Sequence, residues 1–417
     1  MNESQTICAE VNSSMSGKVR ESVQSLALRE KRFWPHDLIL GLLPLILCAQ
    51  AFIAAAQLPQ TVRGIADFRQ LYAGGYMVRT GHAAELYDYE AQRNFEDKIA
   101  PLEKSLIFPI NHLAFEEVLF VPFSFFSYRT AFWLFFVFNC GLLVVCIRLL
   151  RFRLQVLSCR WIWFPPLLFG AFYPIGRTLV EGQDSILTLT LLAGALFALD
   201  QGWEFAAGIL VGAGLYKFQI VVPIALLYLI WRRWRFCWGF ALSSTVAGLV
   251  SLWFVGFHGA VQYAQTMSDM SMRLTSNEAM IRYETFPLHM LNLRSVVAGT
   301  LEPVMPHWAC LLVIVVSSVL VLWAAAKRGP SMPIAITAAA LVSYHFLLHD
   351  ASILIIPVIA ALSCGSVALG TSVVVFLLIS MVTSAVRTWG YVVALVVLVF
   401  FVLMIRTDKE SSKAALA

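Results

Sequence analysis

Long apolar runs separated by short polar clusters dominate this chain. The runs approach the ~20 residues that a helix needs to cross a bilayer core, so the pattern predicts an all-α integral membrane protein. The two runs between Glu204 and Trp231 are short, which suggests half-helices joined near membrane depth. About twelve spans are predicted, at 38–58, 128–149, 161–180, 184–199, 204–216, 218–231, 236–257, 305–326, 331–348, 351–366, 369–386 and 388–405.

The basic residues between these spans predict the orientation, because cytoplasmic loops are enriched in Lys and Arg. Placing every basic cluster inside leaves the tails 1–36 and 406–417 in the cytoplasm and a single transmembrane domain at 37–405. Two large loops, 59–127 and 258–304, then face the extracytoplasmic side of the inner (plasma) membrane. The long polar tail indicates that the first span is an uncleaved anchor. The clusters are Arg148, Arg151, Arg153 and Arg160; Arg232, Arg233 and Arg235; Lys327 and Arg328; and Arg406, Lys409 and Lys413.

The first outer loop has a structure of its own and an acidic balance, with six Lys or Arg against nine Asp or Glu. In ADFRQLYAGGYMV the apolar positions Phe68, Leu71, Tyr72 and Tyr76 recur at helical spacing. This segment predicts a helix lying in the membrane interface. A second helical stretch is expected over 83–99.

Composition supports a membrane protein and excludes other classes. The 417 residues are 59% hydrophobic and 13% charged, against about 25% charged in soluble domains. The net charge of +5 comes from clusters that flank spans, so no nucleic-acid partner is predicted. The chain also lacks a Gly-rich phosphate loop, a dinucleotide fingerprint and a GxSxG elbow. An activated substrate would therefore have to arrive within the membrane.

Asp67 is the first acidic residue after the first span, nine positions beyond Leu58. A carboxylate this close to the outer membrane surface could act as a general base on a lipid-linked substrate, if an acceptor hydroxyl comes within hydrogen-bond reach. The alternative is a helix N-cap, a common role for Asp at a helix start. Position alone favours the N-cap.

Other ionisable residues lie within spans or at their outer ends. A charge at mid-membrane costs about 2.5–3.5 kcal/mol, so such residues usually mark a site or a water-filled cavity. Arg177 and Lys217 could hold an anionic phosphate, or could extend to the interface. Lys217 is too embedded for the second explanation, so we favour function there. The full set is Arg177, Glu181, Asp184, Lys217, Arg294, His345, His349 and Asp350.

Two motifs, one with histidines and one with acidic residues, are weak candidates for metal binding. His345 and His349 are four residues apart and would share a helix face beside Asp350, but no third ligand is evident. A phosphate or hydroxyl contact is the favoured role. Asp88-Tyr89-Glu90 is similar to the acidic metal-binding triplet of some sugar transferases, yet a solvated helix face explains it better. No metal and no other cofactor is predicted.

Six segments in order give the chain a resemblance to glycosyltransferase family 87, also labelled domain of unknown function 2029, whose members have the GT-C fold. The resemblance extends from about Pro59 to Pro357 and departs from the family pattern at Phe218 and Tyr344, where the family often has Pro. The segments are ADFRQLYAGGYMVRTGHAAELYD, FPINHLAFEEVLFVPF, EGQDSILTLTLLAGAL, AAGILVGAGLYKFQIVVP, FPLHMLNLRSVVAG and SYHFLLHDASILIIP.

The resemblance implies a transferase of the cell envelope. Such an enzyme moves a hexosyl group, typically mannosyl, from a polyprenyl-phosphate donor to a glycolipid or glycan acceptor, with inversion and without a required metal. Asp67 would deprotonate the acceptor. Candidates to stabilise the departing phosphate are Arg177, Lys217, Arg294 and His349, and the other expected substrate contacts are Gln183, His345 and Asp350.

Two other functions remain open at the level of sequence. A transporter or flippase of lipid-linked sugars or other anions would also need embedded cations. The absence of an evident inverted repeat and the position of Asp67 in an outer loop count against it. A non-catalytic scaffold is the third interpretation. Besides substrates, membrane lipids are expected as partners.

Overall fold

The computed structural model describes residues 34–99, 107–158, 161–272, 286–383 and 386–414, and all the regular secondary structure in these ranges is helical. The α-helices are α1 (Trp34–Val62), α2 (Phe68–Arg79), α3 (Tyr89–Ile99), α4 (Ala114–Phe120), α5 (Tyr128–Leu149), α6 (Arg151–Ser158), α7 (Phe164–Ala171), α8 (Tyr173–Glu181), α9 (Ser185–Asp200), α10 (Glu204–Ala213), α11 (Phe218–Ile230), α12 (Trp234–Met272), α13 (Leu293–Thr300), α14 (His307–Ala326), α15 (Met332–Val342), α16 (Ile355–Ser363), α17 (Val367–Val382) and α18 (Gly390–Ala414).

Within the described ranges, five helices are long and apolar enough to cross a membrane, or six if one bent pair counts as a span. Only 17–39% of their most apolar stretches is buried in the protein, so most of these side chains lie on its surface, as expected of helices that cross a membrane. The other predicted spans correspond to shorter helices, including α9, α15 and α17. The run 161–180 is divided at Phe172 into α7 and α8, and a proline at the start of each helix fits this division. The expectation of twelve spans therefore goes beyond what the helix lengths support.

The bent pair lies where half-helices were predicted. Glu204–Ala213 and Leu215–Ile230 meet at 69°. The first of them, α10, packs closely on α12, because Gly208 and Gly212 leave no side chain in the way. A Cβ added at Gly212 would lie 2.7 Å from the Phe240 carbonyl oxygen. The break leaves Lys217 in a short 3₁₀ turn inside the protein.

The predicted loop 59–127 folds onto the other helices. Helix α2 forms as expected, but most of its residues are buried in the protein. Phe68 stacks on Phe135 and meets Phe132 edge-on, with ring centroids 5.4 and 5.7 Å apart. At Gly75 an added Cβ would lie 2.6 Å from the backbone of Phe120, so the glycine allows α4 to pack directly against α2.

The predicted helix over 83–99 is divided into a 3₁₀ turn, Ala83–Glu85, and α3. Asp88 Oδ1 accepts hydrogen bonds from the backbone N–H groups of Glu90 and Ala91 at 2.9 and 3.0 Å, as an N-cap does. Asp88 therefore has a structural role at the start of α3, which agrees with the preference against a metal-binding triplet.

Helix α3 also holds the segment that leads into α4. The Glu96 carboxylate accepts a hydrogen bond from the backbone N–H of Phe108 at 3.1 Å, and Gln92 Oε1 accepts one from Ile110 at 3.1 Å. Arg69 of α2 pairs with Glu96 at 2.9 Å, and both side chains are fully buried. The segment 107–113 is thus fixed beside the start of α2.

Three other predictions can be compared with the structure. They concern the loop 258–304, the pair His345 and His349, and the two tails. Helix α12 continues into the predicted loop, with non-helical backbone at Gly256, and α13 forms further on; residues 273–285 of this loop lie outside the described ranges. The expected shared helix face for His345 and His349 is wrong, because α15 ends at Val342 and the chain is irregular before Asp350. Residues 1–33 of the predicted N-terminal tail also lie outside the described residues, and α18 runs through most of the predicted C-terminal tail.

Candidate active site

The junction between α8 and α9 directs three neighbouring polar side chains in different directions. Gly182 ends α8 with φ +65°, a left-handed conformation that favours glycine. A Cβ there would lie 2.6 Å from Phe68 Cβ, so glycine also permits the close approach of α2. As a result, Glu181, Gln183 and Asp184 each take part in a separate polar contact.

Asp67 occupies the N-cap position of α2 but makes no side-chain capping hydrogen bond. The N-cap alternative for this side chain is therefore wrong. Gln183 Nε2 donates to Asp67 Oδ2 at 2.7 Å, and His349 Nδ1 lies 3.7 Å from the same oxygen. The Asp67 side chain is 17% exposed. Its carboxylate thus faces the helix junction and remains partly accessible.

The pKa of Asp67 is raised above its usual value. Burial is the main cause, and the negative charge of Glu181 adds to it. His349, the hydrogen bond from Gln183 and Arg177 act in the opposite direction. A carboxylate with a raised pKa is a stronger base than an ordinary aspartate, which suits proton abstraction from a hydroxyl.

His349 connects Asp67 to two further acidic groups. Its Nδ1 atom lies 3.1 Å from Glu181 Oε2, and its Nε2 atom lies 3.6 Å from Asp350 Oδ2. Arg177 forms an ion pair with Glu181 and donates a hydrogen bond of 2.7 Å to Gln57 of α1. The predicted residues Asp67, Arg177 and His349 are therefore brought together around Glu181.

Lys217 forms the centre of a second polar group. Its Nζ atom lies 2.6 Å from Asp350 Oδ1 and 2.9 Å from Asp184 Oδ1, and it donates to Ser185 Oγ at 3.0 Å. The side chains of Lys217, Asp184 and Asp350 are 2%, 0% and 1% exposed. Lys217 neither extends to an interface nor offers an uncompensated charge to a phosphate.

Two cavities meet at the candidate base, and Asp67, Leu347 and His349 line both of them. The first cavity has a volume of about 40 Å³. The second is about 150 Å³ and is also lined by Arg177 and Glu181. A substrate group bound in either cavity could therefore reach the Asp67 carboxylate. The other residues lining the first cavity are Gln70, Phe108, Pro109, Asn111, His112, Gln183, Lys217, Gln219, Tyr344, His345 and Asp350.

The remaining predicted contacts differ in position. His345 lines the first cavity, and its Nδ1 atom has no hydrogen-bond partner among the described residues. Arg294 lies outside the residues that line the two cavities, and its Nη1 atom donates to the Tyr344 carbonyl at 3.2 Å. Its guanidinium therefore supports the backbone next to His345.

Three buried groups near the first cavity were missed by sequence reasoning. His112 lines that cavity, Glu116 lies 2.5 Å from His112 Nδ1, and Glu117 is 1% exposed. Burial raises the pKa of both Glu116 and Glu117 well above the usual range. The adjacent acids in the otherwise apolar run LAFEEVLFVPF were the available signal.

Two clusters in the described residues have side-chain atoms close enough to hold a metal ion together. One consists of Asp67, Glu181 and His349, and the other of His112, Glu116 and Asp184. In the first cluster Arg177 and His349 supply positive groups beside the two acids. All three residues of the second cluster are buried.

The fold and this site define a helical membrane protein with a polar candidate site between the loop 59–127 and its helices. The sequence model of glycosyltransferase family 87 matches residues 115–357, which is more than half of the chain. The chain belongs to glycosyltransferase family 87 and is a membrane glycosyltransferase. No curated protein matches it, and no solved structure does. The match includes Gln183, Lys217 and His349 and begins after Asp67.

Proposed function

We propose that this glycosyltransferase moves a hexosyl group, most simply mannosyl, from a polyprenyl-phosphate donor to a glycolipid or glycan acceptor. Transfer takes place at the extracytoplasmic side of the inner membrane, within a GT-C-type bundle whose two termini are cytoplasmic. The observation that carries the proposal is the Asp67 carboxylate. It is partly accessible, is held by Gln183 at 2.7 Å and lies where two cavities meet.

Asp67 acts as the general base. The acceptor hydroxyl gives its proton to Asp67 as its oxygen attacks the anomeric carbon of the donor sugar. The bond from that carbon to the phosphate oxygen breaks, and the electron pair leaves with the polyprenyl phosphate. Attack opposite the leaving group inverts the anomeric configuration. General-base assistance of this kind contributes about 10²–10⁴-fold.

The second cavity is the better place for the phosphate. Arg177 and His349 line it, so a phosphate there would meet a guanidinium and an imidazole. Its volume of about 150 Å³ is also the larger of the two. Glu181 holds both positive groups in place until a competing anion arrives.

The other predicted substrate residues have different proposed roles. Lys217, held by Asp184 and Asp350, organises the wall of the first cavity and does not bind phosphate directly. Arg294 acts on the backbone at Tyr344. Gln183 orients the base, and His345 is left as a direct contact to a substrate hydroxyl, since its Nδ1 has no partner in the described part of the chain.

Transport of a lipid-linked sugar is the competing function, and membership of a glycosyltransferase family favours transfer over it. The test uses the full chain in proteoliposomes with radiolabelled polyprenyl-phosphate mannose and a lipid extract of the source organism. A new labelled product of inverted configuration is the expected result. Label that crosses the bilayer and stays on the polyprenyl carrier would instead indicate a flippase. A product formed only from a different hexosyl donor would show that the transferred sugar is not mannose.

A further inference from the structure

A buried cluster next to the first cavity has donor atoms arranged around a common point. His112 precedes Glu116 by four residues, on the segment that opens α4, and Asp184 comes from the start of α9. His112 Nδ1 lies 2.5 Å from Glu116 Oε2 and 3.6 Å from Asp184 Oδ2. One ligand atom from each of the three residues lies within 4.8 Å of the others. Elements that are distant in sequence thus supply three potential ligands to one small volume.

The two buried glutamates of this region are incompletely paired. Glu116 Oε2 lies 2.5 Å from His112 Nδ1, within the cluster itself. Glu116 Oε1 and both oxygens of Glu117 have no hydrogen-bond partner among the described residues. Their side chains are 0% and 1% exposed. Buried polar groups are nearly always hydrogen-bonded, and a buried carboxylate without compensation is strongly unfavourable.

The charges of the region do not balance. Glu116, Glu117, Asp184 and Asp350 bring four acidic groups. Lys217 brings one ammonium, and His112 and His349 bring one imidazole each. Lys217 contacts Asp184 and Asp350, so its charge is already shared by two carboxylates. Compensation for Glu116 and Glu117 must come from bound protons or from a cation.

The cluster of Asp67, Glu181 and His349 also has metal-binding geometry, but its charges balance. Glu181 pairs with Arg177, and His349 stands between Asp67 and Glu181. Two acids there face one guanidinium and one imidazole, and each acid has a hydrogen-bond or ion-pair partner. The acids of that cluster are therefore compensated without a metal ion.

We propose that His112, Glu116 and Asp184 bind a divalent metal ion. One imidazole nitrogen and two carboxylates suit a first-row ion such as Mn²⁺ or Zn²⁺. The ion would join α4 to the start of α9, and Gln183, which orients Asp67, is the residue directly before Asp184. The role is structural and positioning, separate from the proposed base and independent of which sugar is transferred.

The test measures metal in the full-length protein, purified in detergent from cells supplied with Mn²⁺ or Zn²⁺ and passed through a desalting column. About one ion per chain is expected by elemental analysis, with a higher melting temperature than after treatment with a chelator. Less than about a tenth of an ion per chain, with a melting temperature that neither Mn²⁺ nor Zn²⁺ changes, would overturn the proposal without any variant.

Variants locate the ion. Glu116→Gln and His112→Ala should each lose the bound metal, whereas His82→Ala and Glu85→Gln should keep it. His82 and Glu85 are a matched control, because they form a comparable pair at 3.3 Å on the exposed surface. If Glu116→Gln folds and retains the metal, the site is wrong. If wild type binds none and Glu116→Gln raises the melting temperature, the cluster holds protons instead.

Discussion

Gln183 donates a hydrogen bond of 2.7 Å to Asp67 Oδ2, and this contact joins residues 116 positions apart. It connects the first outer loop to the junction between α8 and α9. The described contacts of the Asp67 carboxylate, from Gln183 and from His349, both reach Oδ2. We infer that the other carboxylate oxygen, Oδ1, receives the proton of the acceptor hydroxyl.

The first prediction concerns that hydrogen bond. Gln183→Ala leaves the Asp67 carboxylate in place but removes the group that orients it. We expect kcat to fall about tenfold, equivalent to about 1.4 kcal/mol of transition-state stabilisation. Gln201→Ala, at an exposed glutamine after α9, is the control and should leave kcat unchanged. An unchanged kcat in Gln183→Ala would mean that Asp67 needs no orientation by Gln183.

The second prediction concerns pH. In the proposed mechanism the reaction needs the Asp67 carboxylate, so the rate should rise with pH through the pKa of Asp67, which burial raises above its usual value. Glu181→Gln removes a neighbouring negative charge and should lower that pKa, moving the acidic limb of the kcat/KM profile to lower pH. Gln183→Ala removes a hydrogen bond to the charged form and should move the limb to higher pH. Shifts in the same direction would contradict this account.

The third prediction uses two glycines with the same backbone conformation. Gly182 and Gly329 have φ of +65° and +88°, so alanine is strained at both. At Gly182 the new Cβ also meets Phe68, whereas at Gly329 nothing lies within 4 Å. Gly182→Ala should therefore cost about 1–3 kcal/mol more, measured as a lower melting temperature, and should reduce transfer. Equal losses would show that the approach of Phe68 does not matter.

The fourth prediction concerns Lys217. Lys217→Met leaves two buried carboxylates without their counter-charge and should destabilise the protein by about 3–5 kcal/mol. Asp350→Asn in the same chain removes one of these charges and should recover part of the loss. Lys327→Met, at an exposed lysine after α14, should have little effect. Thermal unfolding in detergent measures all three, and no recovery in the double variant would show that Asp350 is not the main partner.

Local patterns predicted the parts of the fold that depend on local sequence. Helical periodicity identified α2, and the shortness of the apolar runs around Lys217 identified a bent pair of half-helices. The predicted number of twelve spans is not confirmed, because hydropathy does not distinguish a membrane-crossing helix from a short helix buried among others. For example, the predicted span 161–180 is divided into α7 and α8, and each of these helices has a proline at its start.

Sequence reasoning predicted only part of the candidate site. Depth and charge indicated Lys217, but its partner Asp350 is 133 residues away, and no local pattern predicts such a pairing. The capping role first favoured for Asp67 failed because its side chain turns to Gln183 instead. His345 and His349 do not share a helix face, because the chain between Val342 and Asp350 is not helical.

The most direct test of the central claim compares wild type with Asp67→Asn in the same proteoliposomes at saturating donor. Asp97→Asn, a change of the same kind in the same outer loop, is the control. Asp67→Asn should lower the rate of sugar transfer about 10²–10⁴-fold while the folded protein and its donor binding are retained, and Asp97→Asn should transfer at close to the wild-type rate. Transfer by Asp67→Asn at the wild-type rate would contradict the assignment of Asp67 as the base.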